Sequence, residues 1–359
     1  MGPSEVGTNE VGTNEVGPNE VGPNEVGSNE VGSNEVGPNE VGSNEVGPNE
    51  VGTNSNSTNF NLLNSYINAL IINVKQTKIP PAINLIFDSG AVNGILGIGA
   101  ALYIKRLEQI GYTKVNKVSG CSIGSVIGLW YICDCHETMY DYTVKLFSSY
   151  KEHKNFYMYK MLVTNIVNQL FPHNDVSRLN RKLYINYYDT KKCRQCVISK
   201  FKSKKHLITC IVRSSHVPFL TSRDYKYQGR YIDGISPYFF KKGKNLFIKL
   251  INLTTPLMCI NIKREQNIYT RLLSGIVKVN DFFINGKENE LCLYVDDKSY
   301  MLFFQLRIRK YAVFLILYFI ECFLLVQKNI PQCVRETMLY NKLALLGEAS
   351  WQGMKNRLV

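Results

Sequence analysis

The stretch that most narrows the fold is residues 82–131, where two short apolar runs alternate with two helical patterns across glycine-bearing turns. AINLIF, residues 82–87, reads as a buried strand, and DSGAVNG, residues 88–94, as the loop that follows it. ILGIGAALYIKRLEQI, residues 95–110, has the pattern of a helix. A second strand, about Val115 to Val118, runs into the GCSIG turn at 120–124, and Ile123 to Tyr131 continues as helix. Strand, loop, helix, strand, sharp turn, helix is the order of an α/β fold with a parallel sheet. In such sheets sites lie beyond the carboxyl ends of the strands, where both glycine turns fall. LFIKLINL, residues 246–253, reads as a further strand.

Gly120-Cys121-Ser122-Ile123-Gly124 has G-x-S-x-G spacing. Between a strand and a helix, that turn presents a serine hydroxyl, and the helix N-terminus favours negative charge developing beside it. A nucleophilic Ser122 needs a proton acceptor. The five histidines are His136, His153, His173, His206 and His216, and none lies in the final 143 residues. A serine–acid–histidine order would have to end at His216 and fit its acid between residues 123 and 215, which is cramped. A carboxylate acting directly on the serine is the leading reading. Asp233, at the end of an aromatic run and followed by Gly234, is the candidate. GILGIGA is not a dinucleotide fingerprint, because Leu102 stands where the third glycine would be and no acidic ribose partner is evident.

With these three segments in order, the chain resembles the patatin-like phospholipases. That family has a D-G-G-G-x-[KR]-G loop, a G-x-S-x-G elbow and a D-G-[GA] motif. Here they read Asp88-Ser89-Gly90-Ala91-Val92-Asn93-Gly94, Gly120 to Gly124, and Asp233-Gly234-Ile235. SSHVPFL and GRYIDG also resemble the approach to the last motif, and the resemblance covers about residues 82–240. It implies a three-layer α/β/α fold with a mainly parallel central sheet. It further implies a Ser122–Asp233 dyad, an oxyanion hole from the Gly90 and Ala91 N–H groups, and cleavage of fatty-acyl esters of phospholipids without metal or cofactor. Asp88, Ser89, Asn93, Gly94, Gly120, Gly124 and Gly234 would support the motif. Asn93 replaces the family's basic residue, Ala91 a glycine, and Ile235 a Gly or Ala. A catalytically degenerate relative that binds anionic lipid is the second expectation. The Asn-, Ile-, Lys- and Tyr-rich composition also resembles that of viral members.

Charge divides the chain. Residues 1–51 hold ten Glu and no Lys, Arg or Asp, leaving 42 basic and 19 acidic residues in the remaining 308, a net +23. Such a body favours an anionic partner, expected here to be a membrane surface rather than nucleic acid, for which no motif is present. The basic stretch KKCRQCVISKFKSKKH, residues 191–206, is expected as a solvated hairpin, with lipid contact the next reading. Ten dispersed cysteines suit reduced thiols in a cytoplasmic protein; neither Cys193/Cys196 nor Cys133/Cys135/His136 has the matched pairs of a structural zinc site. The N-terminus shows no secretory signal pattern.

Residues 2–51 are ten copies of G-[TPS]-N-E-V, the first reading GPSEV. With one apolar residue in five, the expectation is a disordered acidic tail over 1–54. An amphipathic helical linker (55–79), a catalytic domain (80–255) and its C-terminal extension (256–359) follow. Within the extension, YAVFLILYFIECFLLV (311–326) carries Glu321 near its middle. Core helix or strand is the first reading of this segment. An interfacial anchor, with Arg307, Arg309 and Lys310 toward head groups, is the second, and a membrane span the third.

Overall fold

A computed structural model of the chain describes residues 52–252, 259–262 and 269–358. The acidic repeat lies outside the described residues. In chain order the elements are α1 (Gly52–Ile71), β1 (Ala82–Phe87), α2 (Gly94–Gln109), β2 (Lys114–Gly120), α3 (Ile123–Cys133), α4 (His136–His153) and α5 (Tyr159–Leu170). Then come β3 (Leu183–Asp189), β4 (Arg194–Ile198), α6 (Lys204–Ser214), β5 (Tyr231–Ile232), β6 (Asn245–Ile248), α7 (Tyr269–Asn285) and β7 (Cys292–Val295). The C-terminal helices are α8 (Tyr300–Asn329), α9 (Gln332–Arg335) and α10 (Met338–Leu358).

The protein is α/β, built on a mixed seven-stranded sheet of order β4-β3-β2-β1-β6-β7, with β5 paired to β3. The pairings β3–β2, β2–β1 and β1–β6 are parallel; β3–β4, β3–β5 and β6–β7 are antiparallel. β1 is central and nearly all apolar, as a strand covered on both faces must be. Its Ile83, Leu85 and Phe87 enter the main core, while Ile86 joins a second cluster with Phe247, Leu293 and Leu302 of α8. Asn84 is the buried polar exception, and it donates to Asn245 Oδ1 and the Lys242 carbonyl.

Several helices reach the core through small residues or apolar stripes. A Cβ on Gly99 would lie 2.1 Å from the Leu272 carbonyl oxygen, and one on Gly275 2.2 Å from that of Leu96. These glycines therefore serve the close packing of α2 on α7. Ile67 and Ile71 of α1 lie in the main core, and α1 begins at Gly52, ahead of the tail boundary expected at 54. The basic stretch 191–206 is only partly a hairpin: β4 pairs back on β3, but Lys204 already opens α6, which Ser203 caps through the His206 N–H.

The apolar segment 311–326 is not a core element. It belongs to the 30-residue helix α8, whose most apolar 18-residue window is only 6% buried. By length and composition alone α8 could cross a membrane. One side of it is nonetheless seated on the body through Leu302, Leu306, Val313, Phe314 and Leu317. Apolar composition suggested burial because it reports the wish to leave water, not the phase in which that wish is met.

Candidate active site

Ser122 follows β2 and immediately precedes α3, with φ 54° and ψ −131°. A non-glycine residue in that region costs about 1–3 kcal/mol and persists only where its surroundings impose it. Here they do. A Cβ on Gly120 would lie 2.1 Å from the Gly124 carbonyl oxygen, and one on Gly124 2.5 Å from that of Asp88. The two motif glycines thus let the turn close on itself and on the loop after β1. The Ser122 N–H donates to Ser214 Oγ at 2.9 Å, and Ser214 Oγ donates to the Asn186 carbonyl at 2.7 Å. Ser214 fixes the turn from α6. It belongs to the SSHVPFL segment, but its role as a clamp on the elbow was not visible there.

Asp233 follows β5, half-buried on a turn that packs against the Ser122 turn: a Cβ on Gly234 would lie 3.0 Å from that of Cys121. Its N–H donates to the His216 carbonyl at 3.0 Å, and its Oδ1 accepts from the Ile235 N–H at 2.7 Å. Burial of the carboxylate pushes its pKa up to about 6, against the lowering pull of the Ile235 N–H, Ser122 and Arg309. A carboxylate held there is a stronger base than a free one and is still mostly ionised at neutral pH. His216 is buried, with Nδ1 3.3 Å from Thr221 Oγ1, and holds Asp233 through its backbone. Beside Ser122, Cys121 is fully buried; enclosure, then Asp233 and Asp88, push its thiol pKa well up.

The loop after β1 brings the remaining motif residues to the same place. Asp88 is buried and takes a two-pronged ion pair from Arg309 of α8, at 2.7 Å to Oδ1 and 3.0 Å to Oδ2. Its Oδ1 also accepts the Ser89 N–H at 2.9 Å. Ser89 Oγ is 3.4 Å from the Ile235 carbonyl, which ties this loop to the Asp233 loop. The N–H groups of Gly90 and Ala91 have no acceptor among the described residues. Gly90 admits no side chain, because a Cβ there would lie 2.5 Å from that of Leu250, and one on Gly94 would lie 2.4 Å from Ile123 Cγ1.

Positive charge is not missing from this loop. Arg271 of α7, itself buried, donates to Asn93 Oδ1 and to the Asn261 carbonyl, while Asn93 Nδ2 donates to the Leu250 carbonyl at 2.8 Å. Arg309 likewise turns inward onto Asp88, not outward to head groups, and Lys310 lies over the Tyr188 and Phe314 rings. Of the three basic residues expected to face lipid, only Arg307 is exposed.

Ala91 (φ 43°), where the family pattern has glycine, and Ile235 (φ 64°), where it has Gly or Ala, adopt left-handed backbone. For a β-branched residue this is a marked outlier. Ile235 also packs with Tyr188, Ile232 and Leu317 of α8, a contact that glycine could not make.

Ser122 opens on a narrow apolar cavity with room of about 60 Å³ for the centres of water-sized spheres. Ile98 of α2, Leu146 and Phe147 of α4, Phe156, Tyr159 of α5 and Leu220 line it. Tyr159 Oη and Ser215 Oγ, 2.6 Å apart, are polar groups on this wall. Among the described residues no three His, Cys, Asp or Glu gather as a metal-binding group. No protein-family model matches the chain, and no curated protein matches it.

Proposed function

We propose that the chain is a lipid acyl hydrolase of the patatin-like type, with the three-layer, mainly parallel arrangement of that family. In this reading it cleaves fatty-acyl esters of phospholipids through a Ser122–Asp233 dyad. The observation that carries this is the backbone-strained Ser122, facing an apolar cavity, with the Asp233 carboxylate of raised pKa on the adjoining turn.

Ser122 Oγ attacks the ester carbonyl carbon and passes its proton to Asp233. The Gly90 and Ala91 N–H groups hold the resulting oxyanion, each donor contributing about 3–4 kcal/mol in hydrolases of this kind. Collapse breaks the ester C–O bond, and the lysolipid oxygen leaves with the proton from Asp233. Water then attacks the acyl-serine, giving its proton to Asp233. A second collapse releases the fatty acid, and the proton returns to Ser122 Oγ. Charge is handled by the dyad and the N–H pair, so the sequence of steps calls for no metal or cofactor. The basic body places the enzyme at an anionic membrane from the cytoplasmic side, as a peripheral protein.

The strained Ala91 and Ile235, and Asn93 in place of a basic residue, favour a second reading: a degenerate relative that binds lipid without turning it over. Fatty-acid release from phospholipid vesicles, with chelator present, separates the two. Wild type is expected to release fatty acid, while Ser122→Ala and Asp233→Asn release none above background. Wild-type release no greater than that of Ser122→Ala sinks the hydrolase reading.

A further inference from the structure

We infer that α8 is a two-sided docking helix that lies in the plane of an anionic phospholipid bilayer. Its outer stripe enters the lipid while its inner side grips the loops around Ser122. The inference rests on the geometry of α8 and stands whether Ser122 is active or not.

The inner side is anchored at successive turns. Leu302 and Leu306 pack into the cluster of Phe247, Arg309 pairs with Asp88, Leu317 packs on Ile232 and Ile235, and Glu321 pairs with Lys226. From residue 302 to 321 this is about 28 Å of helix held along one side. A helix so held cannot cross a bilayer without giving up those anchors, including a buried ion pair.

The outer side carries Phe304, Ile308, Tyr311, Leu315, Phe319 and Phe323, all largely exposed. Steps of three or four residues put them within one broad arc of the helix, a continuous apolar stripe. Exposed Arg307 and Lys328 lie toward the two ends of the stripe, and the body behind it carries the excess of basic side chains. An aromatic and aliphatic face on a cationic body fits the interfacial zone of an anionic bilayer. Leaving six such residues in water is the cost that lipid removes.

The test uses the full chain carrying Ser122→Ala, so that lipid is bound but not consumed. The probe is large unilamellar vesicles of phosphatidylserine with phosphatidylcholine, compared with phosphatidylcholine alone. Retention on the mixed vesicles is expected, weakened by salt. The Leu315→Glu/Phe319→Glu pair is expected to weaken it at least about tenfold with the thermal midpoint unchanged. Single Trp substitutions at Ile308, Leu315 and Phe319 should be quenched equally by brominated lipids, because an in-plane helix holds them at one depth.

Failure of the chain to bind, equal retention of the Glu pair, or graded quenching along the helix would overturn the inference. So would a dimer that the Glu pair splits, which would make a second copy the partner. None of these outcomes touches hydrolysis of a soluble ester, so the inference and the proposed activity fail separately.

Discussion

The loops that would carry the proposed chemistry and the helices that hold those loops come from different parts of the sequence. Asp88, Ser122 and Asp233 each sit just past a strand, on short turns whose neighbours in sequence supply much of the geometry. Arg271 and Arg309 reach the same place from α7 and α8, 178 and 221 residues away from the groups they hold. The first set is local and, in the proposed reading, built for reactivity: a strained serine, a carboxylate of raised pKa, and N–H groups without acceptors among the described residues. The second set is remote and built for position. Substitutions should therefore split into those that stop turnover on an intact fold and those that loosen the fold and dull turnover only in consequence.

The largest effect falls on the reactive side. Ser122→Ala is expected to lower turnover of a soluble ester by at least about a thousandfold without lowering the thermal midpoint. A variant that lost both would break the comparison. Next is the pH profile. Asp233 must be ionised to accept the proton, so kcat/KM should rise with pH about a midpoint near 6. The same group carries an opposite signature in stability. Its pKa in the fold lies above the value of about 4 for a free aspartate, so its stabilising share is present at low pH and is lost as pH rises from about 4 to about 6. Asp233→Asn should remove both slopes. A flat kcat/KM between pH 5 and 7 would count against Asp233 as the base.

On the positional side, Arg309→Met leaves Asp88 buried without its partner and is expected to destabilise the protein by about 3–5 kcal/mol. Chemical denaturation measures this. The double variant Asp88→Asn/Arg309→Met should recover part of the loss, which a purely catalytic Arg309 would not predict. Arg271→Met should have a smaller effect, about tenfold in kcat/KM with little change in KM, since Asn93 keeps its bond to the Leu250 carbonyl. The smallest effect isolates strain at Ile235. Both Ile235→Ala and Ile235→Gly lose packing on Leu317, but only glycine relieves the left-handed backbone. Glycine should therefore be more stable than alanine by about 1 kcal/mol.

This division also marks what could be read from the sequence. β1, α2, β2 and α3 were legible to within a few residues, because a strand's apolar run and a helix's periodicity are local properties. The strand-to-helix turn that carries Ser122 was legible for the same reason, and the absence of histidines after residue 216 directs the proposed role of base to Asp233. Arg309 was not. Its charge placed it with Arg307 and Lys310 as a surface cation, and only the pairing of α8 against the sheet turns it onto Asp88. The apparent loss of charge at Asn93 was misleading for the same reason: the sequence shows which residue left the loop, not that Arg271 arrives from α7. Ile235, a departure from the expected motif, acquires a cause only when Leu317 is seen beside it.

The most direct measurement of the central claim is peptide mapping by mass spectrometry after treating the native chain with a fluorophosphonate. A single phosphonyl adduct on Ser122 is expected, absent from Asp233→Asn at matched times, with Cys121 unmodified. No adduct on Ser122 in the folded protein, or the same adduct formed as fast without Asp233, would contradict it.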